Sequence, residues 1–375
     1  MKKKILFLCT SHFSLDDRIF YHQAQSITNN DDIAIICSTI ENLETVIDNI
    51  SITSFDTTHL SFIKKIKPIA SHIHSIEPDQ IICDSPLAVL ASYIASNKNK
   101  HKIVYDITEW YPSKENFTYT PAITIILKFI FLILFSFLAG VISNKFIFGE
   151  YYKSVPFKLM FFWKKNIIIP YYPDLKYINK NNKTISNNEI ELLYAGKINI
   201  DKGIVSVFNA VQELAILEPN FIFKLSIIGK YSTEKNKRLF ENLVEKRLPN
   251  IVVITSDFLP FREFCDKLGK YDFFFDLRQI DFENNRSLPI KLFYYIACGK
   301  PVIYSNLKSI RQDIPNFNFG YLCNPNDSKA IASYISDIIN NPQLYKNACK
   351  NACYASQNKY HWGIIESSFL DFLES

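Results

Sequence analysis

Residues 286–303 read Arg-Ser-Leu-Pro-Ile-Lys-Leu-Phe-Tyr-Tyr-Ile-Ala-Cys-Gly-Lys-Pro-Val-Ile: a turn, a short helix, then a break into a strand. Pro289 suits the first helical position, where its missing N–H would be unpaired anyway. Leu292, Phe293, Ile296 and Ala297 fall on one face of a helix of period 3.6. Gly299 can take the left-handed conformation that ends a helix, and Pro301 prevents its continuation. Such a helix start offers unpaired N–H groups and a positive dipole end to an anion, and Lys291 adds a full charge. The same features describe an ordinary helix-to-strand connection in an α/β domain. The stretch therefore points to a fold class before it points to a ligand.

Outward from it, apolar runs alternate with helical patterns. In the first half these are Ile5–Cys9, a helix over about 17–28, Ile33–Cys37, a helix over 63–76, Gln80–Cys83, a helix over 86–96 and Lys102–Tyr105. The second half repeats the rhythm: Glu191–Tyr194, a helix over 203–217, Phe223–Ile228, a helix near 233–246, Ile251–Ile254, a helix near 261–268, Asp272–Leu277 and Pro301–Tyr304. Strands alternating with helices imply doubly wound parallel sheets, here an α/β chain of two Rossmann-like domains. Pro170 and Pro173, then Asn181, Asn182, Asn187 and Asn188, mark a solvated linker. The expected division is 1–173, 174–356 and an amphipathic C-terminal helix over 357–375 carrying Trp362, Ile365, Phe369 and Phe372.

A chain of 375 residues with 48% apolar content can fill two cores. A net charge of +5 is mild and argues against a dedicated nucleic-acid binder. The eight cysteines form no Cys-x-x-Cys pair, which fits a reduced cytoplasmic protein with neither a disulfide framework nor a metal site. The apolar run Ile5–Cys9 is too short for a signal peptide and fits a buried first strand.

Several strand ends carry chemistry. Tyr194–Gly203 follows a strand and opens a helix; Gly196 allows close backbone approach, and Lys197 and Lys202 can reach a diphosphate. Gly229 and Lys230 end the next strand, and Ser256 and Phe258 follow the one after, on the edge where parallel sheets bind ligands. In the first half, Asp16 or Asp17 suits an N-cap before Arg18. Asp106 and Glu109 follow a strand, and either can orient or deprotonate a hydroxyl.

These motifs together resemble glycosyltransferases of the two-Rossmann-domain type, called GT-B, close to family 4. Pro289, Lys291, Phe293, Tyr294, Tyr295, Ile296, Ala297, Gly299, Pro301, Val302 and Ile303 stand where that family carries Pro-x-Lys-x-Phe-Glu-Tyr-Met-Ala-x-Gly-x-Pro-Val-Ile. Tyr294 replaces a glutamate that binds ribose hydroxyls, and Arg286 occupies the place of its upstream acidic partner; Glu283 or Asp281 could substitute. Tyr105–Pro112 resembles Tyr-Asp-x-His-Glu-x-x-Pro, with Thr108 at the histidine that contacts the donor sugar. The resemblance implies a cleft between the domains and a last helix returning to the first domain. It implies that Lys197 and Lys202 neutralise the leaving diphosphate. Gly196, Gly203, Gly229, Lys230, Ser256, Phe258, Arg286, Ser287, Leu288, Pro289, Lys291 and Tyr294 would line the donor site. Arg18, His12 and Thr108 would lie on the acceptor side, with Asp106 or Glu109 as the catalytic carboxylate. No cofactor or metal is implied beyond the nucleotide diphosphate sugar itself, and the transfer would retain configuration.

Residues 123–142, Ile-Thr-Ile-Ile-Leu-Lys-Phe-Ile-Phe-Leu-Ile-Leu-Phe-Ser-Phe-Leu-Ala-Gly-Val-Ile, carry one charge, Lys128. They meet the length and polarity of a membrane span but lie within the first domain's strand–helix series. A helix packed on the domain or dipping into one leaflet is expected. The aromatic and lysine-rich residues that follow suit an anionic membrane surface, so 121–165 is expected to face a membrane. The resulting expectation is a cytoplasmic, peripheral glycosyltransferase of cell-surface polysaccharide synthesis with a lipid-linked or glycan acceptor. Two alternatives stay open: an inactive nucleotide-sugar-binding or scaffold subunit, and a nucleotide-sugar 2-epimerase.

Overall fold

Most of the short runs of Ile, Leu, Phe and Val form strands, and those inside the sheets are buried on both faces, as parallel sheets covered by helices require. The computed structural model describes residues 2–95, 101–109, 111–117, 120–180, 185 and 188–375. Trp110 and the linker residues Asn181, Asn182 and Asn187 lie outside the described residues. The chain divides into two units, Met1–Tyr171 with Ile365–Ser375, and Tyr172–Ile364.

The first unit holds strands β1 (Lys4–Cys9), β2 (Ile33–Ser38), β3 (Leu43–Ile47), β4 (Ile50–Ser54), β5 (Gln80–Cys83), β6 (Lys102–Ile107), β7 (Lys145–Phe148) and β8 (Lys165–Ile168). Their order is β3-β4-β2-β1-β5-β6-β7-β8. All neighbours are parallel except β3 and β4, which form a hairpin. Its turn residues Asp48 and Asn49 both have positive φ, 51° and 64°, matching the twist of a tight hairpin. This hairpin, β7 and β8 were not assigned from the sequence. The helices are α1 (Gln25–Asn29), α2 (Phe62–Ile76), α3 (Pro86–Ala95), α4 (Ile125–Ile142) and α5 (Tyr151–Met160). The turn before α1, Ile19–Ala24, is wound as a π-helix and buries Ile19, Phe20, His22, Gln23 and Ala24.

The second unit holds β9 (Glu189–Ala195), β10 (Ile222–Ile228), β11 (Ile251–Ser256), β12 (Phe273–Asp276), β13 (Val302–Ser305) and β14 (Gly320–Cys323). Their order is β11-β10-β9-β12-β13-β14, parallel throughout. Its helices are α6 (Ile204–Leu217), α7 (Glu234–Glu245), α8 (Phe261–Leu268), α9 (Lys291–Ala297), α10 (Lys308–Asp313), α11 (Ser328–Ile339) and α12 (Pro342–Asn358), followed by α13 (Trp362–Glu374), which ends in the first unit's residues.

The opening stretch, residues 286–303, differs in one respect from its sequence reading. Helix α9 starts at Lys291, two residues after Pro289, and Leu292 N–H closes a turn on the Pro289 carbonyl at 3.2 Å. Every residue from Leu292 to Ala297 is buried, and Tyr295 stacks on Phe274 with ring centres 4.2 Å apart. A seven-residue core helix has little dipole to offer an anion, so its lysine matters more than its N-terminus. Gly299 is left-handed as expected, with φ 73°.

Helix α4 lies between β6 and β7 and turns Leu132, Phe135, Ser136, Ala139 and Gly140 into the first unit. Gly140 sits against the Phe161 ring, where any Cβ would clash. The rest of the helix is exposed, including Ile126, Leu127, Phe131 and Leu134. Its one lysine is folded back: Lys128 Nζ donates to Thr120 Oγ1 at 2.8 Å and to the Asn116 carbonyl.

Candidate functional site

In an open parallel sheet, ligands bind beyond the strands' carboxyl ends where the strand order reverses. In the second unit that point lies between β9 and β12. Gly196 N–H donates to the Ile228 carbonyl at 2.9 Å, and Gly229 N–H to the Ser256 carbonyl at 2.9 Å, so three strand ends are tied together. A Cβ on Gly229 would meet the Gly196 carbonyl oxygen at 1.8 Å, which only glycine permits. Gly203 has φ 88° and its α-carbon faces the Leu277 carbonyl, joining the start of α6 to the end of β12.

This scaffold places the basic residues. Tyr194 Oη donates to the carbonyls of Lys197 at 2.7 Å and Lys202 at 3.2 Å, and Lys202 N–H donates to Asn199 Oδ1 at 2.7 Å. Lys202 Nζ donates to Asn284 Oδ1 at 3.1 Å. Asn284 is buried, and its amide donates to Gln279 and Asp281, which fixes the lysine's anchor. Lys197 and Lys230 are exposed on neighbouring strand ends. Ser256, the last residue of β11, and Phe258, two residues beyond it, are also exposed. The sequence reading missed Asn284, and also the Arg278–Asp276 ion pair at the end of β12. A carboxylate and an arginine directly after a strand were the available signal for that pair.

The turn before α9 is built differently from the expectation. Arg286 stacks its guanidinium 4.0 Å from the Phe282 ring and donates to the Phe282 carbonyl at 3.1 Å. Ser287 Oγ donates to the Glu283 carbonyl, and the Ser287 carbonyl accepts from Ser309. Leu288 and Lys291 are half-buried and Pro289 is buried. Tyr294, expected to face a cleft, is instead buried in the core with its ring edge against Phe261, because α9 turns that face inward. Of the two acids named as substitutes, Asp281 accepts from Asn284 with both oxygens.

In the first unit the strand order reverses between β1 and β5. Asp84, directly after β5, accepts from the backbone N–H of Thr10 at 2.9 Å and of Ser11 at 3.0 Å. It also accepts from Ser11 Oγ and pairs with His12 Nδ1 at 2.9 Å. Burial pushes the His12 pKa down, but the hydrogen bond and charge of Asp84, with Asp16 and Glu109, outweigh it and raise it to about 9. Burial would raise the Asp84 pKa, yet His12 and the donors of Thr10 and Ser11 hold it below the usual carboxylate value. These forces favour the imidazolium form of His12, with its Nδ1–H donated to Asp84. Asp84 was not singled out in the sequence, although an acid at a strand's carboxyl end was the signal.

Three of the expected first-unit site residues, Arg18, Asp106 and Thr108, are interior. Arg18 is 2% exposed and forks onto Asp106, with Nε to Oδ2 at 3.1 Å and Nη2 to Oδ1 at 2.8 Å. Its Nη1 donates to the Ile169 carbonyl at 2.6 Å and its guanidinium lies 4.4 Å from the Tyr171 ring. Arg18 is therefore held inside the unit, beside a small cavity that His12 and Thr108 also line, and Asp106 is engaged by Arg18 and Gln23. Asp16 takes the capping role, accepting from the N–H groups of Arg18 and Ile19. Thr108 is buried, and its Oγ1 has no hydrogen-bond partner among the described residues. Glu109 is the exposed carboxylate of this group.

The His12 pair carries a pH prediction. A folded-state pKa raised from 6.5 to about 9 contributes stability that is complete below pH 6.5 and is lost as pH rises through about 9. The amount is on the order of 3 kcal/mol at 1.4 kcal/mol per pKa unit. Urea unfolding of wild type and His12→Gln between pH 6 and 10 measures it. The wild-type advantage is expected to shrink across that window, and a constant difference would remove the charged pair.

Residues 176–353 match the family model described as Glycosyl transferases group 1. A capsular polysaccharide biosynthesis glycosyltransferase, CapM of Staphylococcus aureus, is 26% identical over 203 residues, which cover 52% of this chain and 49% of that relative. The match thus spans about half the length of the curated relative. Sucrose-phosphate synthase of Thermosynechococcus elongatus aligns with a TM-score of 0.77 at 13% identity over 99% of this chain and 98% of that one. HepE of Anabaena, solved with UDP and glucose, aligns with a TM-score of 0.71 at 15% identity over all of both chains. At these identities the structural likeness is one of fold. Residues 176–353 are accordingly similar to glycosyl transferases group 1, within a chain whose two parallel-sheet units share the GT-B fold of these structures.

Proposed function

We propose that the chain moves a sugar from a nucleotide diphosphate donor to a lipid-linked or glycan acceptor in cell-surface polysaccharide synthesis. The observation that carries this reading is Lys202 Nζ, anchored on Asn284 at the strand-order reversal of the second unit. With Lys197 and Lys230 on adjoining strand ends, it would receive the negative charge that develops on a departing diphosphate. Gly196 leaves open space where a side chain would stand, so phosphate oxygens can approach the backbone there, while Gly229 lets the Gly196 carbonyl pack against it. The relative's role in capsular polysaccharide and the UDP bound by HepE support the same assignment. Retention of configuration and independence of metal follow the family resemblance, and Lys202 supplies the cationic role that a metal ion fills elsewhere. On the acceptor side, Glu109 and the His12 imidazolium would orient a hydroxyl. The exposed apolar face of α4 supports a cytoplasmic, membrane-peripheral location through residues 121–165.

A second reading, a subunit that binds donor without turning it over, is favoured by Tyr294 and Arg286. Neither supplies a carboxylate for ribose, since one is buried and the other lies on Phe282. Thermal unfolding with UDP, GDP and their sugar conjugates tests both. A nucleotide at a hundred times its Kd is expected to stabilise the protein by about 2.7 kcal/mol. Stabilisation with donor consumption supports the transferase, and stabilisation without it supports the binding subunit. No response to any nucleotide would overturn both.

A further inference from the structure

The first unit contains a cavity of about 470 Å³ between α4, α5 and the end of β6. Its wall is formed by Ile107, Ile133, Leu134, Phe137, Phe157 and Met160. Its polar lining residues are Glu109, Lys153, Ser136 and the phenols Tyr105 and Tyr111. The Lys153 ammonium is already held by Glu150 at 2.6 Å and by the Thr108 carbonyl, so its alkyl stem faces the cavity. The lining is therefore mostly hydrocarbon, with the hydroxyls of Tyr105, Tyr111 and Ser136 among it and one carboxylate, Glu109.

The cavity is continuous with the outer face of α4. Ile133, Leu134 and Phe137 line it while remaining 43%, 61% and 45% exposed. Beyond them Ile126, Leu127 and Ile130 extend the same face, and no acidic residue occurs from 121 to 149. Phe162 and Trp163 are exposed just after α5, and Lys164 donates to the carbonyls of Gly140 and Val141 at the end of α4. Aromatic rings and lysines at one end of an apolar surface match a bilayer's edge. At its other end the cavity reaches Glu109, whose charge also acts on His12. An α-helical partner, about 10 Å across, is too thick for a hollow of this volume.

We propose that this cavity holds the single hydrocarbon chain of a lipid-linked glycan acceptor, entering from the membrane along α4 and ending with its first sugar at Glu109. The inference rests on the glycosyl-transfer reading and selects the lipid-linked class of acceptor within it. A bilayer alone needs only the exposed face of α4. The hollow behind that face, open to its outer side and with a carboxylate among its lining residues, is what a tethered sugar requires.

Alkyl β-glucosides from six to sixteen carbons, held below their micelle concentrations, test this with the full-length chain. Each methylene that enters the cavity is expected to tighten binding about fourfold. The gain should level off once the chain outgrows the enclosure. Ile133→Trp fills the cavity while keeping the outer face apolar, and is expected to bring the plateau to shorter chains. Affinity independent of chain length would overturn the proposal. So would a gain that never levels off and is the same in Ile133→Trp, which would describe adsorption to an open surface. A lysophosphatidylglycerol binding more tightly than the glucoside of equal chain length would overturn it in favour of a membrane phospholipid. The UDP and GDP response is read in the same samples. If it persists while the chain-length effect is absent, only this inference falls.

Discussion

Lys202→Ala is expected to lower donor turnover by about a hundred- to a thousandfold while leaving the fold intact. The reasoning starts from the loop. Residues 197–203 are pinned by Tyr194 Oη on two carbonyls and by Asn199 on the Lys202 N–H, so the backbone does not depend on the lysine side chain. Asn284 keeps its bonds to Gln279 and Asp281 when the ammonium is removed. What is lost is a preplaced cation where the diphosphate gathers charge, and one such group typically contributes that factor. Lys202→Arg keeps the charge but changes a compact ammonium to a planar fork, so partial recovery is expected. Steady-state turnover, read beside nucleotide-dependent thermal shifts, decides the matter. A well-folded Lys202→Ala protein within twofold of wild type would remove this residue from the reaction.

Asp106→Ala is expected to cost about 3–5 kcal/mol of stability, which is the usual penalty for leaving a buried charge unpaired. Arg18 would keep only the Ile169 carbonyl and the Tyr171 ring. Burial alone pushes the arginine's pKa down, and Asp106 is the largest force raising it. The double variant Arg18→Met with Asp106→Leu removes both charges and is expected to recover much of the loss, since matched apolar replacements of buried pairs are often neutral. Urea denaturation of the two variants gives the comparison. If Asp106→Ala unfolds at the wild-type midpoint but turns over no donor, the carboxylate acts in the chemistry instead of in the packing. The Glu109 carboxylate, exposed and one turn of chain away, is the acid this structure leaves available.

The order of residues along the chain determined the fold class and most of its elements. Strands at Ile5–Cys9, Ile33–Cys37, Gln80–Cys83 and Phe223–Ile228 were legible because a strand buried on both faces is a largely continuous apolar run. Ile251–Ile254, an edge strand with Val252 and Ile254 exposed, was legible because its residues favour strand. Glycines 196 and 229 were legible because each follows a strand, and Gly203 because it opens a helix; close backbone approaches found at Gly203 and Gly229 require glycine. Short strands such as β7 and β8 were not, since Lys145–Phe148 and Lys165–Ile168 sit among aromatic residues with no period of their own.

The partners of the charged groups were decided only by tertiary structure. Arg18 meets Asp106 across 88 positions, Lys202 meets Asn284 across 82, and His12 meets Asp84 across 72. Local pattern carries no trace of such pairs, because they are set by which strand ends the sheet order brings side by side. The same holds for Tyr294 and Arg286. Spacing places them in a donor-site motif, but the packing of α9 against β12 turns one into the core, and the Phe282 ring holds the other. Sequence alone decides which residues can form strands and helices, since that depends on neighbours a few positions away. Which of its charges are used up inside the fold, and which still face a ligand, depends on burial and on distant partners, and those exist only once the sheets have assembled.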